Sequence, residues 1–138
     1  QGIHVWKFKY QSNDAWDGYA AIGVWKTSGK QKLEGFIDDT FGNECTGYFI
    51  TTSALVSNPD NPNDWDYEKS HQIHGKIQDG DSVEMILDLD KLNLTFKVHE
   101  QIFTEFDDID RTSYKAVVSI RSTARFTLVS YQDIYATN

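Results

Sequence analysis

The chain has 138 residues, 13 Lys and Arg against 21 Asp and Glu, a net charge of −8, and a single cysteine, Cys45. That length suits one domain, able to bury a core without disulfides or metals, and the 14% aromatic content excludes a disordered chain. The acidic balance disfavours nucleic acid, whose binders need Lys and Arg to replace phosphate counterions, no run reaches the ~18–20 apolar residues of a membrane span, and one thiol excludes an internal disulfide and suits the reducing cytoplasm. The start, Gln1-Gly2-Ile3-His4-Val5-Trp6, has neither the basic nor the long apolar segment of a signal peptide. With no starting Met, residues 1–138 read as one domain excised from a longer protein.

The dominant period along the chain is two, the pattern of half-buried strands. Ile3 to Tyr10 places Trp6, Phe8 and Tyr10 on one face, and Tyr19 to Trp25 is a short apolar run interrupted by Gly23. A glycine inside a strand marks a bulge or a close backbone approach. Residues 83–89 and 92–98 alternate cleanly, with Val83, Met85, Leu87 and Leu89 inward in the first and Asn93, Thr95 and Lys97 outward in the second. Only Asp90-Lys91 breaks them, so 83–98 reads as a tight hairpin, and His99-Glu100-Gln101 turns the chain back toward Ile102 and Phe103. Residues 114–120 and 125–131 complete the set. No window carries a helical stripe. Short strands between turn signals predict an all-β antiparallel sandwich or barrel.

Function in such a fold sits in loops. Residues 11–18 are polar around Trp16, residues 27–32 form a basic loop, and residues 57–80, with both prolines and Trp65, are the longest stretch without strand character. Residues 107–113 are an acidic connector. No Gly-x-Ser-x-Gly elbow or phosphate-binding glycine loop is present, and the paired carboxylates Asp38-Asp39 and Asp107-Asp108 read as solvated surface, so no catalytic residue is assigned. His71 and His74 with Cys45 lack the companions of a zinc site. Asp60, Asp64, Asp66 and Glu68 lack the glycine of an EF-hand and have Pro62 in their midst, so no metal or cofactor is assigned, a looser calcium-binding loop remaining open. The sequon Asn93-Leu94-Thr95 falls inside a strand and is read as chance. Trp6 and Trp25 belong to the core, whereas Trp16 and Trp65, among polar residues, have the character of interface anchors. Arg121, basic at a loop edge of an acidic chain, suits a partner carboxylate or carbonyl.

Residues 80–89 (GDSVEMILDL), 92–98 (LNLTFKV), Phe106 and 114–119 (YKAVVS), preceded by 2–8 (GIHVWKF) and 21–24 (AIGV), resemble in order the motifs of the SPRY (B30.2) domain. Two features depart from that pattern. The Asn-Gly usual after the second strand is replaced by His99-Glu100-Gln101, which implies a differently built turn, and the usual Gly-x-Ala-Phe appears as Thr104-Glu105-Phe106. The chain also starts at the Gly-x-His-x-Trp strand, which leaves an N-terminal edge for another chain or segment to cover.

The resemblance implies a bent, concanavalin-like sandwich and a non-catalytic module that docks a peptide or folded protein through rim loops. It places partner contacts at Asn13, Asp14 and Trp16, at Thr51 and Thr52, and at Ile120, Arg121 and Ser122, with Trp65 added as a loop aromatic. Two alternatives stand beside it. One is a lectin-like module stacking sugar on Trp16 or Trp65. The other is a structural subunit that joins a larger assembly through the N-terminal edge.

Overall fold

The computed structural model describes residues 2–12, 20–27, 47–52, 77–120 and 124–134. The described elements are all strands: β1 (Ile3–Gln11), β2 (Ala20–Lys26), β3 (Gly47–Thr51), β4 (Ser82–Asp88), β5 (Asn93–Val98), β6 (Gln101–Phe106), β7 (Tyr114–Ile120) and β8 (Arg125–Ile134). They form two antiparallel sheets, one five-stranded in the order β6-β5-β4-β1-β8 and one three-stranded in the order β3-β2-β7.

The alternation in the sequence sets the layers. Directly opposed residues of an antiparallel pair share a face, and the register aligns Phe8 with Val83, Met85 with Phe96 and Leu87 with Leu94. These residues, with Tyr10 and Val98, are buried against Ala20, Ile22, Val24, Tyr48 and Ile50 of the smaller sheet. Within the larger sheet Phe96 meets Phe106 edge-on at 6.3 Å, and across the layers Tyr48 lies 5.2 Å from Phe106. Each such pair adds to what area burial alone supplies.

The sandwich is as expected, but several particulars differ. β1 is not an edge. It lies between β4 and β8, so the N-terminal strand cannot serve as the open edge of an assembly. Both its ladders are filled, and among the described residues the free edges of the larger sheet are β6 and β8. β3 carries no two-residue period because it is buried on both faces, from Gly47 to Thr51. Trp6 is half-buried at the margin of the core, its ring 5.3 Å from that of Tyr131, whereas Trp25 is buried as expected.

The first hairpin closes over Leu89 to Leu92 rather than over two residues. Asp88 Oδ1 accepts the backbone N–H groups of Asp90 and Lys91 at 3.0 and 2.9 Å, and Leu92 takes a left-handed φ of 58°. The second corrects the expected change of turn. β5 and β6 are joined by His99 and Glu100 alone, with φ of 51° and 66°. Positive φ at both central residues is the type I′ pattern that Asn-Gly usually supplies. The geometry is kept while the residues change.

Candidate functional site

One rim of the sandwich gathers the strand ends from which the expected contact residues extend. Ala20 begins β2 opposite Ile120, the last residue of β7. Beside them, Thr52 N donates to Ala20 O at 2.8 Å, Ala20 N donates to Thr52 Oγ1 at 3.1 Å, and Ile77 N donates to Thr52 O at 3.0 Å. The larger sheet ends at the same rim. Tyr10 N donates to Asp81 O and Gly80 N to Tyr10 O, each at 2.9 Å, while Ser12 N donates to Asp79 Oδ1 at 3.0 Å. Residues 77–81 therefore bond to both sheets and close the rim between them.

Of the expected site residues, the described chain brings together Thr51, Thr52 and Ile120. Thr51 and Thr52 are buried, and the Thr52 hydroxyl is engaged by Ala20, so these two act on the rim by holding its backbone. Ile120 is a large apolar side chain left 45% exposed beside them. Asn13, Asp14, Trp16, Trp65, Arg121 and Ser122 lie outside the described residues, as do Cys45, His71, His74 and the acidic run from Asp60 to Glu68. Except for Cys45, which falls in 28–46 between Thr27 and Gly47, these residues belong to segments that leave from this rim: 13–19 between Ser12 and Ala20, 53–76 between Thr52 and Ile77, and 121–123 between Ile120 and Ala124.

The sequence reading missed the His99-Glu100 turn as part of this rim. It sits at the start of β4, where His99 N donates to Ser82 O at 3.1 Å and the His99 imidazole lies 2.5 Å from Asp81 Oδ1. The turn itself was legible at His99-Glu100-Gln101, but its place on this rim follows from the pairing of β5 with β4, which no local pattern encodes.

The opposite rim is tied down by polar contacts. Lys26 pairs with Asp110, Tyr114 donates its phenol proton to Asp110 O at 2.5 Å, and Asp110 N donates to the Tyr48 hydroxyl at 3.3 Å. Burial, then the neighbouring Tyr48 and Asp110, pushes the Tyr114 phenol well above the ordinary tyrosine range. Ile109, buried in the acidic connector, anchors it through a bond from its N–H to Leu92 O. Among the described residues no cluster of His, Cys, Asp and Glu suits a metal ion, and no helix is long and apolar enough to cross a membrane.

This architecture matches solved structures. The SPRY domain of human HERC1 superposes with a TM-score of 0.63 at 14% identity, over 94% of this chain and 76% of that one. The fold is that of a SPRY domain. The metal-free carbohydrate recognition domain of Emp46p also matches, with a TM-score of 0.52 at 14% identity over 95% of this chain and 70% of that one. No family model matches the chain and no curated protein does. Both structural neighbours are sandwiches of the concanavalin kind, and at this identity the likeness concerns architecture. The motifs read in the sequence fall in order on the described strands: Gly2 and β1 carry Gly-x-His-x-Trp, and β4 and β5 carry the paired hairpin motifs.

Proposed function

We propose that this chain is a non-catalytic interaction module that docks a peptide or folded protein on the rim formed by Ala20, Thr52, Ile77 and Ile120. The observation that carries the reading is Ile120, an exposed apolar side chain on a rim whose backbone is fixed by the buried Thr52. A rigid edge bearing an apolar anchor suits docking, because little order has to be created on binding. Asn13, Asp14, Trp16, Trp65, Arg121 and Ser122, on segments that leave this rim, complete the proposed contact set. A reducing compartment such as the cytoplasm suits the lone thiol of Cys45.

A sugar is the second reading, supported by the half-exposed Tyr131 ring packed on Trp6. Selection from a displayed random-peptide library, run beside a glycan array with and without calcium, separates the two. Enriched peptides that lose binding to Ile120→Asp and Arg121→Ala, at unchanged melting temperature, support the rim reading. Enriched glycans without peptides overturn it.

A further inference from the structure

The outer face of the five-stranded sheet carries a surface independent of that rim reading. Register places Lys7 opposite both Glu84 and Ser130, Glu84 opposite Lys97, Lys9 opposite Thr127 and Gln11 opposite Arg125, all on the face away from the core. This gathers Lys7, Lys9, Lys97 and Arg125 in a chain of net charge −8. Lys7 pairs with Glu84 at 3.4 Å and Arg125 donates to Gln11 Oε1 at 3.0 Å. Among the described residues no carboxylate pairs with Lys9 or Lys97. An open cavity of about 350 Å³ lies there, lined among others by Lys7, Glu84, His99, Glu100 and Val129.

The strand beside this cavity is unfinished. β8 ends the sheet, and among the described residues nothing pairs with its outer edge. Its register with β1 slips between Lys7 and Phe8, leaving Val129 as an extra, 66% exposed residue over the groove. A bulge of this kind re-aims a side chain. On the other face, Leu128 and Tyr131 are also exposed. The edge thus presents cations on one side, apolar groups on the other, and between them backbone groups that no described strand pairs.

We propose that β8 accepts an extended acidic peptide as an added strand, with alternate carboxylates toward Arg125 and Lys9 and alternate apolar side chains toward Leu128 and Tyr131. Strand addition supplies main-chain hydrogen bonds, and the period of two supplies the choice of side chains. Opposite charge steers the encounter.

The test titrates a short capped peptide of alternating glutamate and valine into the ¹⁵N-labelled full chain, with a lysine–valine peptide of equal length as control. Saturable shifts of the amides from Arg125 to Tyr131, lost with rising salt and absent with the lysine peptide, are expected. Lys9→Glu with Arg125→Glu weakens binding about tenfold with the amide spectrum otherwise kept, and Val129→Asp does the same from the groove. No saturable shift, shifts confined to the rim around Ile120, or equal binding of the lysine peptide overturns the proposal. Self-association of the chain, or sedimentation with anionic vesicles, in place of peptide binding also overturns it.

Discussion

The imidazole of His99 lies 2.5 Å from the carboxylate of Asp81, and this contact fastens a hairpin that the residues in it disfavour. His99 and Glu100 both hold left-handed backbone, at φ 51° and 66°. An L residue there costs roughly 1–2 kcal/mol against the right-handed region, and glycine avoids most of that cost. His99 recovers part of it through Asp81. Glu100 is exposed, and among the described residues no hydrogen bond or ion pair of its side chain offsets its own strain. Glu100→Gly is therefore expected to raise stability by about 0.5–1 kcal/mol, and His99→Gly to gain less or lose, because it removes the Asp81 contact. Urea denaturation of both variants checks the order. A larger gain at position 99 than at 100 refutes the account.

Gly23 is required for a different reason. A Cβ at this position falls 2.1 Å from Tyr48 O and 2.8 Å from Phe49 Cα, both in the backbone of the paired strand β3. Backbone held in a strand ladder cannot yield as a side-chain tip does. Gly23→Ala is expected to cost about 3 kcal/mol or more, at or above the upper end of ordinary overpacking. It should lower the melting temperature or abolish soluble expression. Gly80, at φ 88° with open space around it, tests the contrast: Gly80→Ala strains only the backbone and costs about 1 kcal/mol. Thermal melts of the two variants side by side give the measurement.

How much of this was legible follows from where each residue sits. Strands with one face in the core and one in solvent announce themselves, so β1, β4 and β5 could be read from Phe8 and Tyr10, from Val83, Met85 and Leu87, and from Leu94, Phe96 and Val98. β3 could not, because Tyr48, Phe49 and Ile50 are all buried and leave no alternation to detect. The position of β1 in the middle of its sheet is a long-range fact. It depends on β8 returning from the far end of the chain to pair with it, and no local pattern encodes that. At the candidate site, Ile120 was legible as an apolar residue at a strand end. That Thr51 and Thr52 point into the structure was not, since a polar residue at a strand end looks the same whether it faces a partner or caps a neighbouring N–H.

Thr52 supplies the test of that distinction. Its hydroxyl accepts from the buried Ala20 N–H, and Thr52 itself is 3% exposed. Thr52→Val keeps the shape and leaves that donor without its acceptor, which costs about 1–3 kcal/mol. The expected result is a lower denaturation midpoint, with any loss of partner binding following the loss of folded protein. Thr52→Ser keeps the acceptor and restores most of the stability. Full stability in Thr52→Val would instead mark the hydroxyl as spare and available to a partner.

Alkaline pH should destabilise the fold through Tyr114. The Tyr114 phenol is held above its ordinary value of 10.0, first by burial and then by Tyr48 and Asp110, and it donates to Asp110 O. The folded state therefore keeps this proton at a pH where the unfolded chain has released it. Where the native state binds more protons than the unfolded one, stability falls as pH rises. The contribution is complete below pH 10 and is lost progressively above it. Tyr114→Phe removes the titrating group and the bond to Asp110 together, so it should lower stability at neutral pH and flatten the decline above pH 10. Denaturation midpoints measured from neutral to strongly alkaline pH for both proteins check this, with phenolate absorbance as the second readout. In the native protein the Tyr114 phenol should resist ionisation until unfolding exposes it, and the resistant fraction should be smaller in Tyr114→Phe. Parallel declines in the two proteins would mean that other groups govern alkaline unfolding.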